Sequence, residues 1–328
     1  MVRSRPILDC SVAASQSDAK QSPNVVRVRR ADTLERALAI VAAIERAEEN
    51  PVVNFEELSF LTPGAALVIA SALRRRKFTS RTSEHASGFG YAGHIGFFDA
   101  CGISDVGNAI GHAKGGPGYS PIRALSCEDI RRGAHDRGLE IAQALAGPAE
   151  NLGRIIARRA FGPSFGTVTF AMREVMRNVI EHSGANEMWY AGQYWEDANM
   201  VEVAVLDEGV GLRTSLMRNP ENGDVEDEAT AIRLAMRAGV SEIPKDQRGQ
   251  GNDNSGFGLY LVRRLCLRGN GAFSVVSNDA ALEESAIAET SLPSAFVGTL
   301  LQLRLDVAGL DDFDALLAEL VQDGESEQ

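Results

Sequence analysis

Apolar positions recur along the chain with two periods, and the changes between them outline its elements. Val25-Val26-Arg27-Val28 reads as a strand, and Leu34, Leu38, Val41 and Ile44 then fall at the three- and four-residue spacing of a helix buried on one side. Asp32 or Thr33 caps that helix, and Pro51 closes it. Val52-Val53-Asn54-Phe55 is a second strand, and Gly64 to Phe78 a second helix ending in the basic run Arg74-Arg75-Arg76-Lys77. A polar loop follows from Thr79 to about Ser87. Such strand–helix alternation predicts an α/β layer over residues 25–120, with its edge near the breaker Gly115-Gly116-Pro117-Gly118. Residues 1–24, rich in Ser, Ala and Gln and without a period, read as a mobile arm.

Residues 121–150 read as a helical connector. Two helices, Ile130 to Ala146 and Asn151 to Ala160, are interrupted by Gly133, Gly138, Gly147 and Pro148. A second domain, residues 151–305, follows. Its signals are a helix from Val168 through Arg177 to Glu181, a strand from Met188 to Tyr194, and the alternating strand Val201-Glu202-Val203-Ala204-Val205. A long stretch has little pattern beyond Ala229 to Ala238. Leu259 to Leu267 then read as helix, with Ala272 to Ser277 and Thr299 to Leu305 as strands. In the acidic tail, residues 306–328, Phe313, Leu316, Leu317 and Leu320 predict a short amphipathic helix.

Composition narrows the function classes. The chain is 44% hydrophobic and 24% charged, as expected of a globular protein. No apolar run approaches the roughly 18 residues of a membrane helix, and Met1 to Cys10 lack a signal-peptide core, so a cytoplasmic protein without a membrane partner is expected. Cys10, Cys101, Cys127 and Cys266 are scattered, as reduced thiols would be. A formal charge of −12 argues against nucleic acid as partner, since phosphate contacts draw on a Lys/Arg surplus.

Three pieces of the second half carry candidate chemistry. Glu174 and Asn178 lie four apart on one predicted helix face, where a carboxylate and an amide oxygen can share a water or a hard cation; a solvated face would look the same. The strand through Leu206 ends in Asp207-Glu208-Gly209-Val210-Gly211. There an acid can accept a hydrogen bond from an exocyclic amine while glycines let the backbone approach a planar ring, although a plain turn also fits. The third piece, Gly249 to Leu259 with Ser255, Gly256, Phe257, Gly258 and Leu259 at its end, precedes a helix. Its exposed N–H groups suit an anion. It is neither a Walker A loop nor a dinucleotide fingerprint.

In this order and spacing, residues from about 150 to 305 resemble the GHKL ATPase superfamily of gyrase, chaperone, histidine-kinase and mismatch-repair ATPases. Glu174 and Asn178 match its N box, Asp207 to Gly211 its first glycine box, Gly256-Phe257-Gly258-Leu259 its second, and Gly298-Thr299 its final Gly-Thr. The text Asn178-Val179-Ile180-Glu181-His182-Ser183 is most similar to the anti-sigma-factor serine kinases and the short histidine kinases. The resemblance implies ATP and Mg²⁺ as cofactors, with Asn178 on Mg²⁺, Asp207 reading the adenine amine and Thr299 supporting that reading through water. Residues 212–255 become a lid over the phosphates, with Lys245 and Arg248 as γ-phosphate contacts or ordinary surface charges. His182 fits a helix C-terminus better than a ligand.

Residues 25–120 resemble the STAS domains of anti-sigma-factor antagonists through Val52 to Phe55, the segment Leu58 to Gly64, and Gly96-Phe97-Phe98-Asp99-Ala100-Cys101-Gly102-Ile103. The acceptor serine of those antagonists is replaced by Thr62-Pro63-Gly64-Ala65, where Thr62 fits an N-cap. The expected fold is therefore α/β (α+β), a STAS-like α/β layer followed by a GHKL α/β sandwich with a mixed sheet and an ATP lid. Expected partners are a regulatory protein, STAS-like or sigma-factor-like, with a homodimer also open. Two functions follow. In one, Glu174 is the general base of a protein kinase or ATPase; in the other, the domain is a non-catalytic, ATP-gated interaction switch. Autophosphorylation would need His135, in a segment weakened by Gly133 and Gly138.

Overall fold

The computed structural model describes residues 24–116, 118–157, 163–240, 258–268, 270–285, 287–306, 319 and 322–323. The expected N-terminal arm before Asn24, and Phe313, Leu316, Leu317 and Leu320 of the tail, lie outside them. Among the described residues no helix is long and apolar enough to cross a membrane.

The N-terminal part runs β1 (Val25–Arg27), β2 (Arg30–Ala31), α1 (Leu34–Arg46), β3 (Val52–Asn54), β4 (Phe60–Leu61), α2 (Pro63–Arg74), β5 (Thr79–Arg81), α3 (Phe89–His94) and α4 (Phe97–Ala100). Strands β1, β3 and β5 form a parallel sheet, and β2 pairs in parallel with β4 beside it. Thr79–Arg81, expected as loop, is thus a strand. Its polar side chains are tolerated because it is an edge. The Thr33 hydroxyl caps α1 by accepting from Arg36 N–H (3.3 Å), and Thr62 does the same for α2 through Ala65 N–H (3.4 Å). Helix α1 ends before Pro51, where Arg76 donates to the carbonyls of Glu45 (2.9 Å) and Ala47 (2.7 Å). Pro51 instead leads into β3.

From Tyr119 onward come β6 (Tyr119–Ser126), α5 (Cys127–Arg137), α6 (Ile141–Ala144), α7 (Ala146–Ala157), α8 (Pro163–His182), β7 (Glu187–Trp195), β8 (Met200–Asp207), α9 (Gly211–Leu216), a 3₁₀ turn (Pro220–Asn222), α10 (Glu228–Ala235), α11 (Gly258–Arg268), β9 (Ala272–Ser277), β10 (Ala280–Ser285), β11 (Glu289–Pro293) and β12 (Thr299–Asp306). One seven-stranded sheet results, in the order β11-β10-β9-β12-β8-β7-β6. Every neighbouring pair in it is antiparallel, which corrects the expected mixed sheet. Short connections between β7 and β8 and from β9 through β11 impose that direction, since tight turns join only antiparallel neighbours.

Two further expectations change. Residues 119–126, split between the first domain and the connector, form the edge strand β6, with a register shift at Ser120/Arg123 that accommodates Pro121. Gly133 lies within α5, and Gly138, at φ 63°, caps its C-terminus. Of residues 212–255, expected as a lid, the first part packs around α9 and α10, and residues 241–255 lie outside the described residues. Leu216, Val225, Ala231 and Ile232 belong to the core because this segment is amphipathic at helical spacing.

Both faces of the sheet are covered. Val201, Val203 and Val205 of β8 join the core beneath α8, and Ala204 and Leu206 join the core around α2. All of α2 from Pro63 to Leu73 is buried, because it lies between α1 and the sheet. A side chain such as Leu206, fully enclosed there, contributes roughly 1.5–3 kcal/mol. The alternation carries polar residues inward as well. Glu202, 0% exposed, accepts from Gly64 N–H (3.0 Å) in the first turn of α2 and from Arg304 Nη2 (2.9 Å), so its charge is both paired and placed at a helix N-terminus.

Candidate functional site

Period-two alternation puts Asp207, at the end of β8, on the α8 side of the sheet and its neighbour Glu208 on the α2 side. Thr299 stands opposite Asp207 in the register of β12. On α8, the helical spacing of Glu174 and Asn178 points both to the same cavity, and Gly258 and Leu259 open α11 beside it. The cavity has a volume of about 110 Å³ and opens to solvent. Glu174, Asn178, Asp207, Gly211, Gly258, Leu259 and Thr299 all line it. The three pieces of the sequence thus meet at one place.

Asp207 is the electrostatic focus. Only 3% of it is exposed, and burial pushes its carboxyl up to about 7. Hydrogen bonds from Gly209 N–H (2.8 Å) and from the Thr299 amide and hydroxyl oppose the rise, and the charge of Glu208 adds to it. When ionised, the carboxyl can accept a hydrogen bond from a donor such as an amine.

The glycines serve the backbone first. A Cβ on Gly209 would lie 2.2 Å from the Ser183 carbonyl, and Gly209 does not line the cavity. Gly211, at φ +80°, and Gly298, at φ +106°, occupy left-handed conformations, with Asn278 Nδ2 2.1 Å from a Cβ at Gly211 and the Asp207 carbonyl 2.1 Å from one at Gly298. Close packing of this loop, rather than approach to a ring, accounts for Gly209 and Gly298.

Sequence patterns missed what holds the loop. Buried Glu228 accepts from Ser277 Oγ (2.8 Å), Asn278 Nδ2 (2.7 Å) and Arg213 N–H (3.2 Å), and Asn278 Oδ1 accepts from Gly298 N–H (3.1 Å). These partners are far apart in sequence, so no local pattern announces them.

Glu174 is not solitary at the cavity wall. Arg177 Nη2 lies 2.8 Å from its carboxylate, and the two residues are each 6% exposed. Arg177 also lines the cavity, as does His182, the last residue of α8. Glu174 is therefore held by a buried cation. His135 is exposed on α5 and does not line the cavity. Lys245, Arg248, Ser255, Gly256 and Phe257 lie outside the described residues, so their expected phosphate contacts are not addressed.

No family model, curated protein or solved structure matches the chain.

Mg²⁺ usually takes one or two protein oxygens and completes its shell with phosphate and water. Among the described residues no three His, Cys, Asp or Glu side chains are grouped to hold a metal alone, so the fit of Mg²⁺ depends on the Asn178 amide oxygen acting with a nucleotide.

Proposed function

We propose that the chain is a GHKL-type signalling protein that holds ATP·Mg²⁺ in the cavity between α8, the β8 and β12 ends, and α11. The observation that carries this reading is the convergence of Asn178, Asp207, Thr299 and the start of α11 on one cavity. Asp207 accepts the adenine amine, Thr299 braces it, Asn178 binds Mg²⁺, and the first turn of α11 faces the phosphates. Bound Mg²⁺ supplies charge neutralisation on the phosphoryl groups. The N-terminal layer is a STAS-like regulatory module, and the partner is a regulatory protein of the STAS or sigma-factor kind.

In the catalytic form of this reading, Glu174 is the base for phosphoryl transfer to a protein hydroxyl or to water. A second reading, a non-catalytic ATP-gated switch, is favoured by the Arg177–Glu174 pair at 2.8 Å, because an ion-paired carboxylate is a poorer proton acceptor. Calorimetric titration of the full chain with ATP tests the site. Asp207→Asn and Asn178→Ala should each weaken Mg²⁺-dependent binding by about tenfold or more, the loss of one charge-assisted or metal contact. Unchanged affinity in both variants overturns the assignment. Following γ-labelled ATP to phosphate, to this chain or to another protein separates the two forms.

A further inference from the structure

The residue after Asp207 leaves the cavity altogether. Glu208 Oε1 accepts from Ser71 Oγ (2.6 Å) and from Arg74 Nη2 (2.7 Å), both on α2, across the opposite face of the sheet. Arg74 is itself fixed on two sides. Its guanidinium lies 3.8 Å from the centre of the Trp189 ring on β7, and its Nη1 donates to the Ala100 carbonyl (2.9 Å) at the end of α4. Arg75 Nη1 donates to Ser71 Oγ (3.0 Å), so the hydroxyl that meets Glu208 is oriented as well. One carboxylate thus ties the Asp207 loop to α2, α4 and β7 together.

The geometry points to Glu208 as a positioning residue, by which the N-terminal layer sets the aim of Asp207 in the cavity. It rests on the adenine reading given above. Asp207 and Glu208 are joined by one planar peptide, so a displacement of Glu208 turns the backbone that carries the Asp207 carboxylate. The restraint is stiff. A charge-assisted hydrogen bond between partly buried groups is stronger than a neutral one, and a stacked guanidinium has few other orientations. On the cavity side, the loop is limited by Gly209 against Ser183 and Gly298 against the Asp207 carbonyl. Little slack remains to absorb a change at α2. A partner that pulled on α2 or α4 would alter recognition of the base while leaving the phosphate end of the cavity in place. Selectivity for the exocyclic amine is therefore the property that should respond.

Comparison of two nucleotides isolates this effect. ADP carries the amine that Asp207 accepts; inosine diphosphate lacks it and is otherwise similar. Affinities of both, with Mg²⁺, are measured by calorimetry on the full chain for wild type, Glu208→Gln and Arg74→Gln. Glu208→Gln keeps an acceptor for Ser71 and close to the original shape, which favours a folded protein; circular dichroism verifies folding in each case. Both variants should lose about five- to tenfold in ADP affinity, as for one weakened hydrogen bond, and change by less than about twofold for inosine diphosphate. The ADP preference then falls in both. Equal losses for the two nucleotides, or none, overturn the positioning role while leaving the adenine reading intact. Absence of ADP binding or of any ADP preference in wild type overturns the adenine reading and this inference with it. If Arg74→Gln fails to fold, Glu208→Gln alone decides.

Discussion

Affinity for an adenine nucleotide should depend on pH through one buried carboxyl. Burial pushes the Asp207 carboxyl up to about 7, and an amine hydrogen bond stabilises its ionised form over the protonated one. Binding therefore favours loss of the proton. Above pH 8 affinity should be flat; below 7 it should fall by about tenfold per pH unit, so that at pH 6 it stands roughly an order of magnitude under the plateau. At pH 7 about half of the carboxyls carry a proton, and binding should release about half a proton per site. Glu174, Arg177 and His182 share the cavity, and nucleotide phosphates titrate near pH 6. The Asp207→Asn variant supplies the baseline for these groups. The assay is calorimetry at pH 6 to 8.5, in buffers of different ionisation enthalpy, on both proteins. Stability runs the opposite way. Because the folded carboxyl holds its proton more tightly than the unfolded one, the rise from 3.8 to about 7 corresponds to about 4 kcal/mol, present below pH 3.8 and lost as pH climbs through 7. Equal pH slopes in wild type and Asp207→Asn would falsify this account of Asp207.

Other outcomes follow from single contacts. Glu174→Ala should leave nucleotide affinity nearly intact and lower phosphoryl transfer by about 10²–10⁴-fold if Glu174 is the base; equal turnover removes that role. The same change strips buried Arg177 of its nearest carboxylate and leaves it Glu181 at 3.7 Å, so it should cost about 1–3 kcal/mol in denaturant unfolding, and adding Arg177→Met should recover part of it. Gly298→Ala should destabilise by at least about 2 kcal/mol, since φ +106° and a Cβ 2.1 Å from the Asp207 carbonyl both oppose a side chain; an unchanged melting temperature contradicts this. Amides of Leu216, Ala231 and Ile232, packed in the core, should exchange slowly even without nucleotide, and fast exchange there would return this stretch to a free lid.

Legibility in the sequence tracked the strength of local signals. Helix α8 and strands β8 and β12 carry long, clean apolar periods, and the structure has them close to the expected places. Strands β10 and β11 went unseen because Ala280 to Ser285 and Glu289 to Pro293 are rich in Ala, Glu and Ser; their pairing is templated by β9. Strand β6 was hidden by Pro121, which an edge strand with a bulge tolerates. Glu202 and Gln302 are polar positions of strands, yet α2 covers that face and both are buried. That Asn178, Asp207 and Thr299 line one cavity agrees with the order of motifs on which the GHKL resemblance rests. The Arg177 ion pair, the Glu228 network and the Glu208 tie were not legible in the sequence, since each depends on packing between distant segments.

Photolabelling with 8-azido-ATP and Mg²⁺ tests the central claim most directly. After digestion and mass spectrometry, label should lie on peptides that carry Glu174 to Ser183 or Val205 to Leu216, and excess ATP should abolish it. Label confined to other peptides, or insensitive to ATP, would contradict a nucleotide site in this cavity.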